Sequence, residues 1–308
     1  MKTLYVLFTA VLFFTMLIMP VFSVAQKAAE PAATNNEPKD GIVVFLSDTN
    51  KSETVSLADY VFNVTAANLP ADTPYEAIKA EAVAARTLAL YYKQNRGDKL
   101  YDIDDLQDGY ITDAKLKEKW GENYSKNAEI FKSAIADTGN KTVMYKNAYA
   151  KTLRHDVSGG KTESAKEILG EDIPYLTNVA SVGDIMADDY LSTVKFSAAE
   201  FTEKLKNAGA TDFSNLSTAI GKVEYTAAKG VKTIVLCKKS FKGDEVKNIF
   251  SLNSCNFSLE QVDGQFTFSV KGKGNMLGMS RAGAKYMATE GSKYVDILSW
   301  YYPGCELK

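Results

Sequence analysis

Cysteine is scarce in this 308-residue chain, limited to Cys237, Cys255 and Cys305, and histidine is scarcer still, with His155 alone. Two of the thiols could pair and leave one over, but three cannot build a dense disulfide scaffold. Their spacings and a single imidazole match no Cys/His zinc pattern, so no metal is expected and nothing calls for a cofactor. Stability must come mainly from packing. Charge of one sign is lacking too: 36 basic against 38 acidic side chains leave a net charge of -2, without a dense basic block. Binding a phosphate backbone rewards a basic face, so nucleic acid is not expected as a partner. No internal repeat is visible, which weakens the case for an adhesin or scaffold. Gly272-x-Gly274 mimics part of a dinucleotide fingerprint, but the third glycine is misplaced and no βαβ unit surrounds it.

Apolar material is ample, at 45% hydrophobic and 11% aromatic residues, enough for one large domain or two modest ones. After Lys2, residues 4–25 carry no charge and end in Ser23-Val24-Ala25. A basic start, an apolar run and a small-x-small end suit a secretory signal cleaved after Ala25. The run is also long enough to stay in a bilayer, since about 20 apolar residues suffice. Signal peptide and membrane anchor both remain open, and either one implies export to an extracytoplasmic place. Residues 26–40, rich in Ala, Pro, Asn and charge, read as a flexible linker.

From Gly41 onward strands and helices alternate, which predicts an α+β fold of mixed helices and short strands in one main domain, 41–308. A smaller β-rich lobe is expected at about 190–270. A strand is expected at IVVFLSD, and a short helix from Ser56 through Val64. Further helices are expected at 113–120, 125–137, 198–208 and near 243–250, with one or two closing the chain. TVMYKNAYAKTLRHDV reads as a hairpin turning at Lys146-Asn147. The clearest helix follows Pro74, with Thr73 as candidate N-cap and Gly97 marking its exit. Its alanines (Ala77, Ala80, Ala82, Ala84, Ala85 and Ala89) leave little bulk, so other elements or a polymer could approach closely. Thr73-Pro74-Tyr75-Glu76 matches a capping box, in which Glu76 reaches back to the N-cap N–H. On spacing alone that reading outweighs catalysis.

PYEAIKAEAVAARTLAL (74–90) resembles the Glu-Ala-Leu-Lys-Ala-Gln-Ala-Val-Ala-Ala-Arg-Thr-Tyr-Ala-Leu signature of the SpoIID/LytB family of cell-wall proteins. Glu81 stands where the signature has Gln, and Leu88 where it has Tyr. Upstream, Asn68-Leu69-Pro70 replaces the usual Glu-Met-Pro. TDAKLKEKWGENY, AIADTGNKTVMYKNAYA, SGGKTESAKEILGEDIPYLTNVASVGD, FKGDEVKNIFSLNSCNFSLE and YVDILSWYYPGCEL follow in the family's order. The segment Gly274–Ala284 resembles Gly-His-Gly-Val-Gly-Met-Ser-Gln-Tyr-Gly-Ala. It keeps Gly278-Met279-Ser280 and Gly283-Ala284, but has Asn275, Met276, Arg281 and Ala282 where the motif has His, Gly, Gln and Tyr.

The resemblance implies a peptidoglycan lytic transglycosylase, which cleaves MurNAc-GlcNAc strands and leaves 1,6-anhydro-MurNAc ends in sporulation engulfment or wall remodelling. It implies Glu76 as the catalytic acid. It places Lys79, Arg86, Ser158, Gly159, Gly160, Thr162, Gly278, Met279 and Ser280 at the substrate. The partners it implies are peptidoglycan glycan strands, a cell-wall amidase or peptidase, and a membrane anchor protein. The alternative is a non-catalytic glycan-binding enhancer of an amidase, favoured by the altered Gly274–Ala284 segment. A Ser-His-Asp triad of Ser158, His155 and Asp156 can be written down, but neighbouring strand residues point to opposite faces, which argues against it.

Overall fold

The computed structural model describes residues 41–308. The signal or anchor segment 1–25 and the linker 26–40 lie outside the described residues. The fold is α+β. Strand β1 (Ile42–Leu46) pairs antiparallel with β2 (Lys51–Val55). Helix α1 (Leu57–Asn68) starts where the Ser56 Oγ accepts the Asp59 N–H at 3.1 Å. It runs past the expected end at Val64, because Thr65-Ala66-Ala67 continue it and the first bar to a helix is Pro70. A proline disfavours helical backbone in the residue before it, and Leu69 is accordingly extended, at φ -111 and ψ 143.

Helix α2 (Tyr75–Gln94) is the axis of the main domain. Strand β3 (Ile103–Asp104) returns beside β1 in parallel, and α3 (Asp113–Trp120) and α4 (Tyr124–Asp137) follow. Alanine lets neighbours reach α2 on every side, and Ala80, Ala82, Ala84, Ala85 and Ala89 are all fully buried. One helix thereby feeds three apolar clusters. Ala82, Ala85 and Ala89 join Ile42, Tyr60 and Ile103. Ala80, Val83 and Ala84 join Met279, Leu298 and Tyr301. Ile78 joins Phe62, Leu116 and Phe131. The small side chains admit other parts of the protein along most of the helix, not a polymer.

Strands β4 (Val143–Tyr145) and β5 (Ala148–Tyr149) form the expected hairpin. Lys146 and Asn147 both have positive φ, 49° and 64°, as a type I′ turn requires. The hairpin is shorter than expected: β6 (Arg154–His155) leaves it and pairs in parallel with Met279–Ser280 near the C-terminus.

Residues 194–270 build an apolar cluster of their own. Strand β7 (Leu191–Ser197) leads into α5 (Ala198–Asn207), whose Ser197/Glu200 capping box is present on both sides. Strands β8 (Ile220–Tyr225), β9 (Val231–Leu236) and β10 (Lys239–Lys242) form one antiparallel sheet, ending in α6 (Gly243–Phe250). Strand β11 (Phe257–Val262) pairs with β12 (Gln265–Lys271), which pairs with β7. Phe201 stacks on Phe266 with centroids 3.7 Å apart, and Phe250 packs beside them. Strand β13 (Met279–Ser280), α7 (Arg281–Thr289), α8 (Tyr294–Tyr301) and β14 (Glu306–Leu307), which pairs with β4, complete the main domain.

Candidate active site

Glu76 does not close a capping box. The Thr73 hydroxyl donates to the Pro70 carbonyl at 2.7 Å, Pro74 takes the N-cap position, and α2 begins without a side-chain cap. The turn uses up the hydroxyl that the box needs. Glu76 instead reaches across the structure, where its Oε2 accepts the backbone N–H of Tyr294, the first residue of α8, at 2.8 Å. A carboxylate there meets an N–H that the helix itself leaves without a partner. The Glu76 Oε1 accepts from Lys79 Nζ at 3.3 Å, and that ammonium lies 4.7 Å from the centre of the Tyr294 ring. The Glu76 side chain is 20% exposed and that of Lys79 13%. Glu76 and Lys79 thus stand together at the N-terminal end of α2, both partly open to solvent, and Glu76 is held by a residue distant in sequence.

Behind this end runs a buried network of ions. The Glu81 Oε1 accepts from Arg154 Nε at 2.9 Å and from Arg281 Nε at 3.1 Å. Arg154 also pairs with Asp108, whose other oxygen accepts the Tyr60 hydroxyl at 2.9 Å. Burial raises the Glu81 carboxyl, but Arg281 and Arg154 more than offset it and hold the group below the usual range. For Asp108 burial wins over Arg154, and its carboxyl is raised. Arg281 continues outward to Asp156 at 2.9 Å, and Asp156 to Lys273 at 3.4 Å. Asp156, Lys273, Arg281 and Lys285 line a cleft of about 240 Å³ with Asn68 and Thr73. Glu76 is not among its lining residues. Asn68, Arg281 and Ala282, where the chain departs from the family motifs, meet in this cleft.

Most of the other expected substrate-binding side chains are engaged inside the protein. Arg86 is 6% exposed and donates to the Lys141 carbonyl at 2.9 Å and the Thr138 hydroxyl at 3.0 Å, tying α2 to the end of α4. Ser158 and Ser280 are fully buried and share the Asp184 carboxylate: Ser280 Oγ donates to Oδ1 at 2.6 Å, and the Ser158 N–H to Oδ2 at 2.8 Å. Thr162 donates to the Thr177 carbonyl at 2.8 Å and receives the Val179 N–H at 2.7 Å. Met279 is a core residue, and Gly278, at φ 71°, sits where a Cβ would lie 1.9 Å from the Leu153 carbonyl oxygen. These five residues and Arg86 shape the fold and offer no side chain to a ligand. Gly159 and Gly160 are half-buried; a Cβ on Gly159 would strike the Asn256 amide, so close packing within the protein explains that glycine.

The triad geometry is absent, since Ser158 bonds to Asp184 while His155 Nδ1 lies 3.1 Å from the Leu277 carbonyl. Burial pushes the imidazole down to about 4. All three cysteines are free thiols. Among the described residues, no three His, Cys, Asp or Glu side chains are grouped to hold a metal ion. Tyr294 and Asp184 carried no sequence signal, because each acts on a partner far away in the chain.

A family model described as stage II sporulation protein matches residues 46–145, which hold α1, α2 and the Glu76 turn. Stage II sporulation protein D of Bacillus subtilis (strain 168) is 33% identical over 289 residues, covering 91% of this chain and 82% of that one. The protein of that name from Bacillus amyloliquefaciens is 32% identical over 287 residues with the same coverage. The amidase enhancer of Bacillus subtilis is 25% identical over 291 residues, but this chain covers only 39% of it. Similarity at this level across both the α2 region and the C-terminal segments that hold Glu76 leads to one assignment: the chain belongs to the stage II sporulation protein D family.

Proposed function

We propose that this protein is a lytic transglycosylase of peptidoglycan glycan strands, with Glu76 as its acid and base. The observation that carries the reading is Glu76 itself, partly exposed, in the first turn of α2, and braced through Oε2 by the Tyr294 N–H. Hydrolysis of a glycoside usually takes two carboxyl groups, one as acid and one for water or nucleophilic attack. An intramolecular displacement takes one. Glu76 donates its proton to the glycosidic oxygen as the C1–O bond breaks. The muramyl C6 oxygen bonds to C1, and its proton passes to the Glu76 carboxylate. No water is consumed, and the strand gains a 1,6-anhydro end. Oε1 is the oxygen for this traffic, because its partner is the Lys79 ammonium at 3.3 Å, which can donate to a sugar oxygen as well, whereas Oε2 is held by a backbone N–H. The apolar run at 4–25 supports export, so that the site meets the wall outside the cytoplasm. Purified Glu76→Gln protein incubated with glycan strands is expected to release no anhydro-muropeptides by mass spectrometry. Release at the wild-type rate would end this reading.

The second reading is a non-catalytic glycan-binding partner of a cell-wall amidase. It draws on the Gly274–Ala284 segment, where Arg281 is engaged by Glu81 and Asp156 within the protein, and on the amidase enhancer relative. Strand binding without any anhydro product, together with stimulation of an added amidase, would favour it.

A further inference from the structure

A cavity of about 410 Å³ lies where the 194–270 cluster meets the main domain, walled by Glu163, Ile168, Thr226, Val231 and Met276. Glu76 is not part of it. Its most unusual element is Glu163, only 2% exposed. The Oε1 of Glu163 accepts the Thr226 hydroxyl at 2.7 Å, while Oε2 is buried and has no hydrogen-bond partner among the described residues. Leaving such an oxygen unpaired is costly, so a group that enters the cavity and bonds to it is favoured. Burial, with the nearby Glu167 carboxylate, shifts the Glu163 carboxyl upward toward its neutral form.

Charge narrows the ligand class. The lining carries Glu163, Glu167 and Asp244 against Lys232, Lys242 and Lys247, which selects neither a cation nor an anion. Ile168, Val231 and Met276 add an apolar wall, as small-molecule sites commonly have around a few placed polar groups. A neutral amide with a methyl group meets both demands. Its N–H and C=O can satisfy Glu163 Oε2 in either protonation state.

We propose that this cavity binds the N-acetyl group of an aminosugar, with the amide on Glu163 and the methyl against Ile168, Val231 and Met276. The proposal rests on the glycan reading above and adds a second point of strand contact apart from Glu76.

The test is calorimetric binding of a short β-1,4-linked N-acetylglucosamine oligomer to the full chain carrying Glu76→Gln, which separates binding from turnover. Adding Glu163→Met, which keeps the side chain's length but removes both oxygens, is expected to weaken binding about tenfold or more. Ile168→Trp, at a position 38% exposed and therefore tolerant of bulk, narrows the cavity and is expected to do the same. The de-N-acetylated oligomer is expected to bind no better than the Glu163→Met protein binds the acetylated one. Unchanged affinity in either folded variant, or equal binding of the de-N-acetylated oligomer, overturns this site and leaves the assignment of Glu76 standing. Absence of oligomer binding before either change overturns the glycan reading as well.

Discussion

Arg281 Nε and Glu81 Oε1 lie 3.1 Å apart, with the Glu81 side chain 1% exposed and that of Arg281 12%. They join the C-terminal motif to the helix that carries Glu76. Each stands where the family motif has glutamine. Taken singly, one departure adds a negative charge and the other a positive charge; in the structure they neutralise each other. Two apparently unrelated changes are one paired change.

That pairing predicts strong coupling. Arg281→Gln leaves Glu81 one guanidinium short in a buried place, and should cost about 3 kcal/mol in denaturant unfolding. Glu81→Gln removes one carboxylate from both guanidiniums, leaving Arg154 to Asp108 and Arg281 to Asp156. The double variant should recover about 1–3 kcal/mol relative to the sum of the singles. Simple additivity would contradict the pair.

The brace on Glu76 can be removed as a single atom. Tyr294 is the first residue of α8, where proline is tolerated, and Lys293 already has the extended backbone that precedes proline. Tyr294→Pro deletes the N–H and the ring; Tyr294→Ala deletes only the ring. If the proposed chemistry holds, kcat should fall roughly tenfold further in the proline variant than in the alanine variant. Equal rates would show that the N–H does not position the carboxyl group.

Arg86 separates a structural role from a substrate role. Its guanidinium bonds to the Lys141 carbonyl and the Thr138 hydroxyl inside the protein. Arg86→Met is therefore expected to lower stability by about 2–3 kcal/mol, with KM for glycan strands unchanged in the folded fraction. A raised KM at unaltered stability would return Arg86 to the substrate.

Acid sensitivity should trace in part to His155. Burial lowers its imidazole from 6.5 to about 4, against the pull of the Leu277 carbonyl and Asp184. The unfolded chain then binds a proton before the folded one does. This contribution is complete above about pH 6.5 and is lost as pH falls toward 4, about 3 kcal/mol in total. His155→Asn keeps a donor near the Leu277 carbonyl and cannot titrate. Its unfolding free energy should fall less than the wild type's between these pH values, and parallel curves would exclude the histidine.

The elements themselves were legible in local pattern. Pro74 and the alanine-rich run after it located α2, the Lys146-Asn147 turn located the β4–β5 hairpin, and the helix expected at 198–208 is α5. Each depends on contacts a few residues apart, which linear order already contains. The motif order likewise pointed to the family and to Glu76.

Partner choice was not legible, because it is decided over long range. Thr73 and Glu76 have the spacing of a capping box, yet each found a competing partner: Pro70 three residues back for one, and Tyr294 across the fold for the other. Ser158, Thr162 and Ser280 look like groups waiting for a sugar until Asp184, Thr177 and Val179 are placed against them. A buried polar atom must be satisfied by whatever the fold brings near it. Sequence alone determined the local elements and the motifs they carry; tertiary packing decided which of the motif side chains remain open to a ligand.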